Sequence, residues 1–306
     1  MGYLPEDMKK SLDEKDWPTY MKLSRRYNMR GSAYLNYLET EHLCTINMKR
    51  VGNKEGGIQY LMVLGAKDFT FLNGMNLPDL TELSVTRKNM TFNFDGIENI
   101  GASSLVTMRI IFGGGNIKAL ESFRSNTLRD LYIEGRIENV IDRLELESLE
   151  SLTIYNNNLC HIGFLISSKM PSLRNLYLTN PINDWGCEIL LSRIPWENYP
   201  KLETLQLSQN YRGLFPIIID ESLSKIDNLK CLTIDSSHIK VKGTIVLNNL
   251  NTLVIDVERL EDLTGLNVPN LEKLYIKCNN LEYDEETNNL ILREILNNNK
   301  MVIDSY

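Results

Sequence analysis

One pattern of apolar residues recurs along most of this chain and limits what it can fold into. In "LESLESLTIYNNNL" (residues 146–159), Leu149, Leu152 and Ile154 stand at offsets 0, +3 and +5, with Asn157 at +8 and Leu159 at +10. These offsets fit neither an amphipathic helix nor a simple alternating strand. They return at Leu80, Leu83 and Val85; at Leu105, Met108 and Ile110; at Leu128, Leu131 and Ile133; and at Leu173, Leu176 and Leu178. Further copies follow at Leu202, Leu205 and Leu207; Leu229, Leu232 and Ile234; Leu250, Leu253 and Ile255; and Leu271, Leu274 and Ile276. Two fainter copies stand upstream, at Leu43, Ile46 and Met48 and at Ile58, Leu61 and Val63. About eleven copies, spaced by about 15–29 residues and mostly by 21–25, run from roughly residue 37 to the end. A unit this short cannot bury its own leucines; stacked units bury them in one continuous core.

These segments resemble leucine-rich repeats, whose consensus is LxxLxLxxNxL. The resemblance implies an α/β solenoid, a horseshoe in which each LxL is a short parallel strand lining a concave face and a loop or helix returns on the convex side. It also implies an inward asparagine at +8 that satisfies turn backbone groups. Only Asn157, Asn210 and Asn279 hold that position; elsewhere it is Lys88, Gly113, Arg136, Pro181, Ser237 or Glu258. The array is therefore expected to be irregular. The long spacings after Leu173 and Leu202 leave room for helices, and Ile189, Leu190, Ile194 and Trp196 in "DWGCEILLSRIPWENYP" have a helix-like pattern. The shorter spacings after Leu229 and Leu250 suit extended or 3₁₀ returns. The end, "NLILREILNNNKMVIDSY", reads as a helix and last strand forming a C-terminal cap within a repeat domain of residues 37–306.

Residues 1–36 do not repeat. "PEDMKKSLDEKDWPTYMKLSRRYN" reads as two short helices broken at Pro18, one presenting Met8 and Leu12, the other Tyr20, Leu23 and Tyr27. An open end of a repeat array exposes core, so the segment is expected to be a helical N-terminal cap. An alternative stays open. Leu4-Pro5, Leu12, Asp16 and "LSRRY" resemble an F-box, the helical motif that docks onto an adaptor of cullin ubiquitin ligases; on that reading residues 4–30 bind the adaptor and the repeats receive substrate.

Composition narrows the function classes. The net charge of −7 argues against a nucleic-acid backbone as partner. No apolar run approaches the ~18–20 residues of a membrane span, and "MGYLPEDMKK" has no apolar signal region. The five cysteines, Cys44, Cys160, Cys187, Cys231 and Cys278, are odd in number and scattered, which predicts free thiols in a reducing compartment, cytoplasmic or nuclear, rather than disulfides or a zinc site.

Chemistry-bearing motifs are weak. "IIFGGGNIKAL" (residues 110–120) lacks the GxxxxGK[ST] spacing of a phosphate loop and reads as a glycine-rich turn with positive φ. Cys160-His161 has no Asp or Asn at a recognisable spacing, and His238 beside Ser237 reads as a turn. No HExxH spacing occurs. No cofactor or metal is expected.

What remains is surface. Residues flanking the inward leucines should face solvent. One outward column includes Arg109, Tyr132, Thr153, Tyr177, Gln206, Thr233 and Tyr275; the next includes Glu134, Tyr155, Thr179, Asp235 and Asp256. At ~4.8 Å per strand, Arg109, Tyr132, Tyr155 and Tyr177 are expected within ~15 Å of one another, with the three tyrosines side by side. Tyr and Arg anchor interfaces because they combine contact area with a hydrogen-bonding tip. The expected function is non-enzymatic protein recognition through the concave face, with Arg109, Tyr132, Glu134, Tyr155, Tyr177, Gln206 and Tyr275 as contact residues. The alternatives are the ubiquitin-ligase receptor and an enzyme with a site on an edge loop. The acidic run "EYDEET" (residues 282–287) would favour a basic partner.

Overall fold

The computed structural model describes residues 45–50, 58–72, 77–100, 102–139, 141–161, 163–182, 189–209, 216–260, 263 and 265–280. The N-terminal cap or docking motif, the acidic run and the C-terminal cap all lie outside these residues. The chain divides into two compact units, Met1–Leu128 and Arg129–Tyr306, and each is described by itself.

In the first unit, β1 (Thr45–Arg50) pairs antiparallel with β2 (Ile58–Leu64), placing Ile46 opposite Val63 and Met48 opposite Leu61. The Leu43–Ile46–Met48 copy was expected to be a parallel repeat strand; its strand runs the other way. The seven residues that separate the two strands are too few for a parallel crossover, which needs a dozen or more. From there the strands are parallel. β2 pairs β3 (Glu82–Thr91), and β3 pairs β4 (Thr107–Gly114), aligning Leu61, Leu83 and Met108 in one buried column and Val63, Val85 and Ile110 in the next.

The far side of this unit is packed by rings. Phe69, Phe92, Phe94 and Phe112 are all buried, with edge-on contacts such as Phe69–Phe92 at 5.1 Å between centroids. Burying each ring contributes roughly 1.5–3 kcal/mol, and edge-on pairs add to that. Short 3₁₀ turns at Thr70–Leu72, Ile97–Asn99 and Lys118–Ser122 close the returns. The glycine-rich stretch serves this packing. A Cβ on Gly115 would stand 1.8 Å from the Phe92 carbonyl oxygen, and the residue holds φ near +159°. No other residue lets the two backbones pass so closely.

The second unit carries the longer sheet. β5 (Asp130–Gly135), β6 (Ser151–His161), β7 (Asn175–Ile182), β9 (Thr204–Ser208), β11 (Cys231–Lys242), β13 (Thr252–Leu260) and β15 (Lys273–Asn280) follow in parallel order. The register aligns Leu131, Leu152, Leu176, Leu205, Leu232, Leu253 and Leu274, all at most 2% exposed. Ile133, Ile154, Leu178, Leu207, Ile234 and Ile255 form the buried column beside it. The chain is therefore α/β in class, built on open and, apart from β1, parallel strand pairing with few helices; among the described residues α1 (Phe164–Ser167), in the second unit, is a single turn.

Three features of the unit depart from or extend the pattern. The residue three before each leading leucine is also buried and closes a turn: Leu149 N–H donates to Leu146 O, Leu173 to Met170, Leu202 to Tyr199, Leu229 to Ile226, Leu250 to Leu247 and Leu271 to Val268. Next, strand alternation continues past the second inward residue, so offset +7 points inward. Asn156 occupies it, fully buried; its Oδ1 accepts from Ile137 N–H at 3.1 Å and its own N–H donates to Thr179 Oγ1 at 2.8 Å. The satisfying role expected of an asparagine at +8 falls here to one at +7; the side chains of Asn157, Asn210 and Asn279 lie outside the described residues. Finally, the residues just after the leading leucines alternate in charge. Arg129, Glu150, Arg174, Glu203 and Lys230 each stand just before the first residue of successive strands, with ion pairs Arg129–Glu150, Arg174–Glu203 and Lys230–Glu203.

The expected helix over residues 184–200 is not formed by its described part. Ile189–Leu190 is a two-residue strand, β8, and 3₁₀ turns follow at Leu191–Arg193 and Trp196–Asn198. Pro195 disfavours helical backbone at Ile194 and lacks the N–H a helix would use. β8 instead pairs with β10 (Ile217–Asp220), which pairs with the far half of β11. After β10 a 3₁₀ turn, Glu221–Lys225, is capped by Asp220, whose carboxylate accepts from Ser222 N–H at 3.0 Å. The shorter returns are extended, as their length predicts: β12 (Ile245–Val246) pairs β14 (Leu266–Asn267).

Candidate binding surface

Because the leucine columns face inward, the intervening residues of the second unit form an outward face in three rows. The middle row reads Tyr132, Thr153, Tyr177, Gln206, Thr233, Val254 and Tyr275 from β5 to β15. The row after it reads Glu134, Tyr155, Thr179, Ser208, Asp235, Asp256 and Lys277, of which Thr179 and Ser208 are buried. The row before it reads Asp130, Ser151, Asn175, Thr204, Cys231, Thr252 and Lys273.

This register refines the expected tyrosine cluster. Tyr132, Tyr155 and Tyr177 do occupy consecutive strands, but not one row. Thr153 separates Tyr132 from Tyr177, which are two strand spacings or ~10 Å apart. Tyr155 lies in the next row, between Glu134 and Thr179. The three tyrosines therefore form a triangle. Tyr155 is the most open of them, at 37% exposure, while Tyr132 and Tyr177 are half-buried.

Several tips are already oriented. Tyr132 O–H donates to Glu134 Oε2 at 2.7 Å, which links two of the expected contact residues on one strand. Gln206 Nε2 donates to Ser208 Oγ at 3.3 Å and leaves its amide oxygen on the face. Burial raises the Tyr177 hydroxyl above its ordinary pKa, with the nearby Cys231 thiol adding to the shift, so the group is a neutral donor at physiological pH. Cys231 is a free thiol. Tyr275, 38% exposed, lies four strands beyond Tyr177. Arg109 belongs to the first unit, where it is an exposed residue of β4 in register with Ser84.

Charge is unevenly placed on the face. The outward positions of β6, β7 and β9 carry only Ser, Thr, Tyr, Asn and Gln. Asp130 and Glu134 stand on β5 and Asp235 on β11, whereas β15 presents Lys273 and Lys277, the latter paired with Asp256 at 2.9 Å. Burial raises the Asp130 carboxyl above the usual carboxylate value; Glu150 adds to this and Arg129 opposes it.

The motifs weighed for catalysis settle differently. Ser237 and His238 lie within β11 rather than in a turn, because that strand continues to Lys242. Ser237 Oγ meets His238 Nδ1 at 3.1 Å, but Ser237 is fully buried and its hydroxyl faces no open site. Cys160 and His161 end β6. Among the described residues no group of His, Cys, Asp and Glu could hold a metal ion, and no helix is long and apolar enough to cross a membrane. No family model matches the chain, and no curated protein matches it either.

Proposed function

We propose that the chain is a leucine-rich-repeat solenoid of the horseshoe type, capped at its N-terminus by residues 1–36, that recognises a protein partner without catalysis. The contact surface is the outward face of the second unit, which this reading makes concave. The observation that carries the reading is the division of labour along β5, β6 and β7. Leu131, Ile133, Leu152, Ile154, Leu176 and Leu178 fill the core, so Tyr132, Tyr155 and Tyr177 have no core duty and are available as anchors. A rigid sheet holds them at fixed spacing, which lowers the ordering cost of binding. Scattered cysteines and the free Cys231 support an intracellular, reducing location.

Affinity capture from the native cell tests this, with wild type compared against the triple change Tyr132→Ala, Tyr155→Ala and Tyr177→Ala. A partner captured by wild type and lost by the triple variant supports the face. A cullin adaptor that survives the triple change and disappears on deletion of residues 1–36 would support the ubiquitin-ligase reading instead.

A further inference from the structure

We infer that the outward face of the second unit takes an extended polypeptide segment of about nine residues lying across the strands, its basic end over Asp130 and Glu134 and its acidic end over Lys273. The inference rests on the reading of this face as the contact surface. Three observations carry it.

The first is charge polarity. The β5 end holds Asp130, which is exposed, and Glu134, and the cation beside Asp130, Arg129, is ion-paired with Glu150. At the other end Lys273 is exposed and has no ion-pair partner among the described residues. A partner with charges of opposite order gains at both ends, and the reverse orientation is repelled at both ends.

The second is length. From β5 to β15 are six strand spacings, or ~29 Å. An extended chain covers ~3.3 Å per residue, so about nine residues reach from one charged end to the other.

The third is the chemistry between the ends. Side chains such as Thr153, Tyr177 and Gln206 provide hydroxyls and amides that both donate and accept. A peptide backbone laid across them presents N–H and C=O groups at every residue and needs both kinds of partner. Charged side chains in this stretch would instead demand particular side chains of the ligand; β6, β7 and β9 have none there, and beyond them only Asp235 and the Lys277-paired Asp256 are charged before β15.

The test is selection of the full-length protein against a randomised nonapeptide display library at low salt. Enriched peptides should carry Lys or Arg near one end, Asp or Glu near the other, and uncharged residues between. Selection repeated with Lys273→Glu should turn the acidic end basic and leave the other end unchanged; Asp130→Lys should do the converse. Each swap should weaken the wild-type consensus peptide by about tenfold, and the loss should shrink at ~0.5 M salt. Peptides whose terminal charges ignore both swaps would overturn the inference, as would failure to enrich any peptide. Selection that ignores the swaps but is abolished by the triple tyrosine change overturns the polarity alone and leaves the face standing. Peptides that bind the triple tyrosine variant as well as wild type overturn both.

Discussion

Arg87 offers the sharpest prediction about how the chain is packed. It sits at the inward +7 position of β3, in register with Phe112, and is only 9% exposed. Its Nε and Nη1 are buried without a hydrogen-bond partner, and its remaining described contact is a weak one from Nη2 to Met90 Sδ at 4.0 Å. Guanidinium cannot shed its charge in a protein, so the cation is buried with no compensating partner among the described residues. Replacing buried charges by apolar groups of similar length is neutral or stabilising by ~1–4 kcal/mol, and an unpaired charge belongs at the favourable end. Arg87→Met should therefore stabilise the first unit. With a gain of ~2 kcal/mol and an m-value of ~3 kcal/mol/M, the urea midpoint rises by about 0.7 M. Far-UV circular dichroism reads the midpoint, and slower amide exchange at Val85 and Ile110 would assign the gain to this unit. Lys88→Met, one residue on and exposed, is the control and should change stability by less than ~0.5 kcal/mol. A loss of more than ~1 kcal/mol in Arg87→Met would refute the reasoning, because it would mean the guanidinium is satisfied.

The remaining predictions concern the second unit and the glycine turn. Leu205 is fully buried between Leu176 and Leu232, so Leu205→Ala should cost ~2–5 kcal/mol in urea unfolding, whereas Gln206→Ala should stay within ~0.5 kcal/mol. Glu203 has its carboxyl held below the usual carboxylate value, chiefly by the hydrogen bond from Lys230. A lowered folded-state pKa means the stabilisation is present above the unfolded carboxylate pKa of ~4.3 and is lost as pH falls through the lower folded value. Glu203→Gln should flatten the stability profile below about pH 4.5, and it should not alter the profile at neutral pH. Gly115→Ala forces a methyl onto the Phe92 carbonyl, so it should lower the thermal midpoint clearly more than Gly243→Ala, where the added methyl meets nothing within 4 Å.

Much of the core was legible because leucine and isoleucine recur at offsets 0, +3 and +5, and hydrophobic columns demand nothing else. The direction of β1 was not, since its offsets are the same either way; the length of the connection decides it. The residue at −3 went unread because its chemistry varies, from Leu146 to Met170, Tyr199 and Val268, although every one is buried. The inward +7 position was hidden for a related reason. Arg87, Asn156, Gln209 and Ser236 are polar, and polar residues in a strand suggest the solvent side until the backbone shows alternation continuing through them. Ile189, Leu190 and Ile194 fit a helix face as well as a strand and turn, and Pro195 was the residue to weigh. Of the candidate surface, the choice of outward residues followed from the leucine pattern. The two outward rows followed too, with Tyr132 and Tyr177 in one and Tyr155 in the next; the exact strand register that makes them a triangle did not. The charge alternation of Arg129, Glu150, Arg174, Glu203 and Lys230 was there to be found in the position after each leading leucine.

The central claim is that a protein partner docks on the tyrosine triangle. Titration calorimetry of the captured partner against single Tyr132→Ala, Tyr155→Ala and Tyr177→Ala variants tests it most directly, with Glu221→Ala, exposed in the 3₁₀ turn after β10, as control. At least one tyrosine change should cost ~2 kcal/mol or more, about a thirtyfold rise in Kd, with an unchanged urea midpoint. Wild-type affinity in all three variants would place the interface elsewhere and contradict the account.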